Sequence, residues 1–308
     1  MARKQDFHCS LLRFAAIALI VNSHMGAIYP VSKLAVGGAI GNAIFFFVSG
    51  FSLFLSDRRS FAKWEYRRIT RIYPSLWIFM LASCAFFGFE WGLADIIIPK
   101  YWFLKAILIF YPLFFLILKF FENRLPQVIA VCLLAMAANL YFFNDFHSAG
   151  IVKNTDNPTY LHYCIYFPIM LAGALYAKAR KERNAAVPIW TLAIIPIYFV
   201  AEIAFGKIFT SLQIIVPLVL LVVPIGFEKL CMLVPESTVH DSAKKLLALG
   251  GNITLDVYIV QESIIRYFSA NTLPYHMTIP ATFASIAIAA LALYTVSKKA
   301  SDFLRNAI

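Results

Sequence analysis

Apolar residues in this chain come in long runs divided by short polar stretches. Ten runs approach or exceed the span of a bilayer: Phe7–Ile28, Val36–Leu55, Ile72–Phe89, Tyr101–Phe121, Gln127–Phe143, Tyr160–Ala177, Val187–Phe205, Phe209–Phe227, Asn252–Phe268 and Met277–Val296. A hydrocarbon core of about 30 Å needs around 20 helical residues, so each run reads as a membrane helix. Membrane barrel strands would alternate apolar and polar over about ten residues, and these runs do not. Only Gly206-Lys207-Ile208 parts the seventh run from the eighth, which predicts a tight hairpin there.

Composition supports the membrane reading. Of 308 residues, 61% are apolar and 14% charged, with a mean hydropathy of +0.75. A soluble domain is about half apolar and a quarter charged. The excess apolar surface needs lipid, which excludes a soluble enzyme, a disordered regulator and a disulfide-rich secreted module. Five scattered cysteines without a CxxC form neither a disulfide framework nor a metal knuckle, and read as helix-packing residues. No metal site is expected. The basic start Met1-Ala-Arg-Lys followed by an apolar run imitates a secretory signal. Arg13 interrupts the run and no cleavage pattern follows, so the run is expected to stay as the first membrane helix.

The net charge of +11 reads as membrane topology rather than nucleic-acid binding. With the N-terminus inside, twenty basic residues fall in alternate loops on that side and five on the other. The expectation is therefore an all-α integral membrane protein of about ten transmembrane helices, both termini cytoplasmic. Residues 1–308 form a single transmembrane domain in this reading, with no soluble C-terminal domain. The longest polar stretches, Asn144–Thr159 and Cys231–Gly251, are too short for one. No internal repeat is evident, which disfavours a transporter built from inverted halves.

Polar groups within apolar runs are the candidates for chemistry. Arg13 and His24 are eleven residues apart in the first helix. That spacing is three turns plus roughly 20°, so both project from one face, about 16 Å apart along the axis. Each alone also reads as an interfacial residue. Arg68 and Arg71 are helix neighbours at i, i+3, next to Arg67. Guanidinium groups suit phosphate, although basic residues at a cytoplasmic edge also satisfy the positive-inside rule. Ser49-Gly50 sits in the aromatic run Phe45–Phe51 and lets another backbone or an acyl chain come close. Asp256, Gln261 and Glu262 lie in the ninth run, with Glu262 near mid-depth and Arg13 or His24 as candidate partners. Trp102 reads as an aromatic-belt residue.

The order and spacing of these motifs resemble integral-membrane acyltransferase family 3, across the whole chain. The first-helix Arg-x10-His is Arg13 to His24, and the aromatic Ser-Gly-Phe signature is Phe45–Phe51. Arg-x-x-Arg is Arg68-Ile-Thr-Arg71, followed by Ile72-Tyr73-Pro74. Trp102-Phe103-Leu104 opens the fourth helix, and Thr254–Gln261 matches the late Ser/Thr-x-x-x-Tyr pattern. Two positions depart from the common family pattern: Ser10 stands where many members carry Asp, and Gln261 where many carry His.

The resemblance implies transfer of an acetyl or other short acyl group from cytoplasmic acyl-CoA to a hydroxyl of a cell-envelope glycan or glycolipid, in a bacterial inner membrane. Acyl-CoA would be a substrate, with no permanently bound cofactor. Expected partners are membrane lipid, acyl-CoA and the glycan acceptor, not nucleic acid. The implied roles are base for His24, donor orientation or charge stabilisation for Arg13, and donor-phosphate contacts for Arg68 and Arg71. Direct transfer and a covalent acyl-histidine both remain open. A transporter or flippase for a glycan or lipid intermediate is the alternative, and a non-catalytic envelope partner the third reading.

Overall fold

The computed structural model describes residues 7–143, 160–183, 187–209, 212–270 and 274–306. Among them every regular element is helical. The α-helices are α1 Phe7–His24, α2 Gly38–Phe54, α3 Phe61–Phe87, α4 Trp102–Phe121, α5 Leu125–Phe143, α6 Tyr160–Arg183, α7 Ile194–Ile203, α8 Ile215–Met232, α9 Asp241–Asn252, α10 Thr254–Ser269 and α11 Tyr275–Asn306. The expected loop Asn144–Thr159 lies outside the described residues.

Helices replace all ten apolar runs, but not all run the expected length. Among the described residues, six stretches are long and apolar enough to cross a membrane: Phe7–Ala27, Ser32–Phe54, Phe61–Phe86, Trp102–Phe142, Ile215–Met232 and Tyr275–Asn306. Trp102–Phe142 covers two of the expected runs. Helix α10, at 16 residues, is about 24 Å long and carries Asp256, Glu262 and Arg266. The seventh run breaks into a 3-10 turn Ile189–Ala193, the ten residues of α7 and a π-helical turn Ala204–Ile208. That π turn stands where the tight hairpin was expected, and α8 begins only at Ile215.

The other differences concern charge and exposure. Helix α3 starts eleven residues before the apolar run, because Ser60 caps it by accepting from the Lys63 backbone N–H. Its first turns bury Trp64 to 1% exposure, so the basic stretch is a packed helix and not a loop. The helix ends at Gly88, whose φ of 64° suits glycine. Helix α9, amphipathic and short, occupies the expected polar stretch before α10. Cys84 is exposed on α3, contrary to its reading as a packing residue, while Cys231 is buried. Large apolar side chains such as Phe86 and Ile288 are 82% and 70% exposed, as a hydrocarbon solvent permits.

The chain divides into two compact units. The first takes residues through Ala16, Ala39–Ser56 and Leu113–Ala248. Here α5 packs on α6, and α8 on α6 and α7. Helix α2 meets α6 at a backbone crossing. A Cβ on Gly50 would lie 1.8 Å from the Met170 carbonyl oxygen, and one on Gly173 would lie 2.0 Å from that of Phe47. Only glycine fits either position, and the approach is the one that small residues permit between membrane helices. A salt bridge of 2.7 Å joins Arg180 on α6 to Glu228 on α8.

The second unit takes Ile17–Gly38, Asp57–Pro112 and Leu249–Ile308. Helices α3, α10 and α11 pack on one another. Their shared polar centre is Asp256, with no exposed surface. Its Oδ1 accepts from Ser75 of α3 at 2.8 Å and from Ser297 of α11 at 3.5 Å. One carboxyl group thus ties three helices together.

Candidate active site

One cluster lies in the second unit at the end of α1. His24 closes that helix and is exposed. Glu262 of α10 is near enough to act by charge on both His24 and Tyr101. Its Oε1 accepts from Arg266 one turn on, an i, i+4 ion pair. Glu262 is thus a half-exposed carboxylate paired to Arg266 and close to the imidazole, one of its two expected partners. The Tyr101 hydroxyl donates to the Ile259 carbonyl at 3.3 Å, which fixes the start of α4 against α10. Trp102 is half-buried there, while Phe103 and Leu104 are 1% and 0% exposed. The Phe103 ring meets Tyr258 at 4.7 Å. Gln261, 2% exposed, leaves its Oε1 without a hydrogen-bond partner among the described residues.

A second cluster lies toward the start of α10 in the same unit. Arg68 stacks on Trp64 at 3.6 Å and donates to the Trp64 carbonyl. Arg71 donates to the Asn252 carbonyl at the end of α9, and lies 5.5 Å from the Tyr294 ring. The i, i+3 pair therefore does not form one fork. Arg68 leans back over its own preceding turn, as helical side chains do, while Arg71 reaches across to α9. Arg71 is also close enough to Asp256 to act on it by charge. In the loop before α3, hydrogen bonds from Arg59 hold the Asp57 carboxyl at about 2, so this pair stays ionised at neutral pH.

Arg13 and Ser49 belong to the first unit. Arg13 donates to the Ser52 hydroxyl of α2 at 2.9 Å. Ser49 is half-buried beside Gly50, and the close approach expected of Ser49-Gly50 is made by the backbone of α6. Arg13 and His24 share one continuous helix, whose first part belongs to one unit and whose last part belongs to the other.

Three further residues escaped the sequence reading. Ser75 gives no signal in a run of apolar residues. Arg305 registers there only as a loop charge. Tyr101 reads as the start of a helix. Each matters through a contact with a residue distant in the chain.

Long lipid-compatible helices with polar clusters set among them define a multi-pass integral membrane protein. The chain belongs to acyltransferase family 3: the model of that family, described as an acyltransferase domain, matches residues 10–297. No curated protein and no solved structure matches it. The protein is therefore a membrane acyltransferase.

Proposed function

We propose that this acyltransferase moves an acetyl or other short acyl group from cytoplasmic acyl-CoA to a hydroxyl of an envelope glycan. The membrane would be a bacterial inner membrane, crossed about ten times with both termini cytoplasmic. The observation that carries the reading is the layout of the second unit. An exposed imidazole lies beside a carboxylate halfway along α10, and Arg71 lies at the residues just before its start. Asp256 and Glu262 are six residues apart on α10, about 9 Å along its axis. A donor held by its phosphates near Arg71 would run along α10 toward His24.

In this reading His24 takes the proton of the acceptor hydroxyl as its oxygen attacks the thioester carbonyl. The tetrahedral intermediate then collapses. The C–S bond breaks, the new ester stays on the sugar, and the thiolate of coenzyme A leaves and takes up a proton. Glu262, anchored by Arg266, faces the imidazolium that forms and stabilises its charge. Arg68 and Arg71 hold donor phosphates.

The test is mass spectrometry of envelope glycans from cells carrying the native gene or His24→Ala. The native gene should add an acyl ester. Loss of a general base costs about 10²–10⁴ in rate, so His24→Ala should leave almost none. Normal acylation by a well-inserted His24→Ala protein would overturn the mechanism. Cysteine labelling after Asn154 should reach from outside, and after Glu182 from inside; the reverse at either position would overturn the topology.

A further inference from the structure

We propose that Arg305, near the end of α11, binds a phosphate group of the acyl donor and completes a site with Arg68 and Arg71. The inference rests on the acyl-CoA reading above. It goes beyond it because Arg305 lies outside the residues that match the family, 10–297.

Position is the first argument. Arg68 and Arg71 turn to different partners, Trp64 and Asn252, so a phosphate meeting both needs a further group between them. Arg305 is fastened to the residue just before each of them. Its Nε donates to the Thr70 hydroxyl at 3.2 Å, and its Nη2 to the Arg67 carbonyl at 3.0 Å. Charge also couples it to Arg71 and to Arg68. The Tyr66 hydroxyl donates to the Leu304 carbonyl at 2.7 Å, so the adjoining residue of α11 is fastened to α3 as well.

Chemistry is the second argument. Arg305 is exposed and held by neutral oxygens, so it keeps its whole charge. A guanidinium has five N–H donors. Two are spent on Thr70 and Arg67, and three remain to meet phosphate oxygens. Gathering these guanidiniums against mutual repulsion is understandable if an anion joins them. Nearby carboxyl groups balance them only in part. Glu65 acts on Arg68 and Asp302 on Arg305, while Asp256 is engaged by Ser75 and Ser297. Phosphate oxygens could come from coenzyme A or from an anionic lipid headgroup. Arg71 beside Asp256 favours coenzyme A, because α10 leads from there to Glu262 and His24.

The test measures coenzyme A binding by calorimetry, with the full protein in nanodiscs of neutral phosphatidylcholine. Arg305→Gln should weaken binding about tenfold or more, the value of one hydrogen bond between charged groups. Arg305→Lys keeps the charge without the fork and should fall between. With acetyl-CoA as substrate, KM should rise in Arg305→Gln while kcat holds. Thr70→Val removes a tether and no charge, and should bind coenzyme A as the native protein does.

Native affinity in Arg305→Gln would overturn the assignment. So would an equal loss in Thr70→Val, which would make Arg305 a tether. A parallel arm measures retention of phosphatidylglycerol in mixed nanodiscs. If Arg305→Gln loses that lipid but not coenzyme A, the site is a lipid site and the assignment falls. If the native protein binds no coenzyme A at all, the donor reading itself falls and takes Arg305 with it.

Discussion

Replacing Gly50 by alanine should separate α2 from α6 and destabilise the first unit. The new Cβ would stand 1.8 Å from the Met170 oxygen and 2.8 Å from its carbonyl carbon. To pass even 3.0 Å from the oxygen, one backbone must retreat by about 1.2 Å. The obstacle is main chain, so no rotamer change relieves it. Nor is there slack nearby, because Ile169, Met170, Leu171 and Ala174 of α6 are all 0% exposed. Overpacking costs about 1–3 kcal/mol, and a clash of Cβ with backbone belongs at the upper end or beyond. At about 2–4 °C per kcal/mol for a chain of this order, the melting temperature should drop by about 6–12 °C.

Thermal unfolding in detergent, read by the loss of the monodisperse peak in size-exclusion chromatography, measures this. Gly173→Ala makes the reciprocal clash with Phe47 and should behave alike. The double variant should lose less than the two single losses combined, because one separation of the helices relieves both clashes. Ser49→Ala, which adds nothing at the crossing, should melt near the native temperature. A native melting temperature for Gly50→Ala, or additive losses in the double variant, would refute the argument from close packing. A stable Gly50→Ala protein with altered acyl-chain preference would instead make the Ser49-Gly50 motif a substrate contact.

Two other perturbations follow from buried charge. Glu228 is 5% exposed and its partner Arg180 35%, so the cost of breaking the bridge depends on which group goes. Arg180→Ala takes the opposite charge from a buried carboxylate that keeps its interaction with Tyr176, and should cost roughly 3 kcal/mol, whereas Glu228→Gln leaves a guanidinium that reaches solvent and should cost clearly less; equal melting temperatures would contradict this. Ser75→Ala removes the 2.8 Å donor to Asp256 and should cost about 1–3 kcal/mol. In an Asp256→Ala background the same change should cost little, and an undiminished effect in that double-mutant cycle would show that Ser75 acts elsewhere.

Hydropathy made visible the six described stretches long and apolar enough to cross a membrane, because one-dimensional apolar runs are a local property. It fails where polar residues are paid back by tertiary partners. The first turns of α3 carry Lys63, Glu65, Arg67 and Arg68 and so look like a loop. They are helical because Ser60 caps them and Trp64 is buried. Glu262 reads as an intramembrane carboxylate with Arg13 or His24 as partner, and its ion pair is with Arg266 one turn on. Ser49-Gly50 correctly signals a close approach, but nothing local names α6 as the neighbour, since Met170 lies far along the chain.

The arginine cluster shows the same limit in the chemistry. The Arg68–Arg71 spacing is local and suggests a phosphate fork, yet the two side chains take separate partners. Charge reaches both from Arg305, which bonds to α3 across 238 positions of sequence. Twenty basic residues on one side of the expected topology conceal such a group, because each satisfies the same rule of membrane orientation. Orientation needs only that a cation be near the surface. It does not need the guanidinium to be tethered by two neutral acceptors beside two others of like charge. That added order is what separates a binding site from a topology signal, and it exists only once α11 is folded against α3.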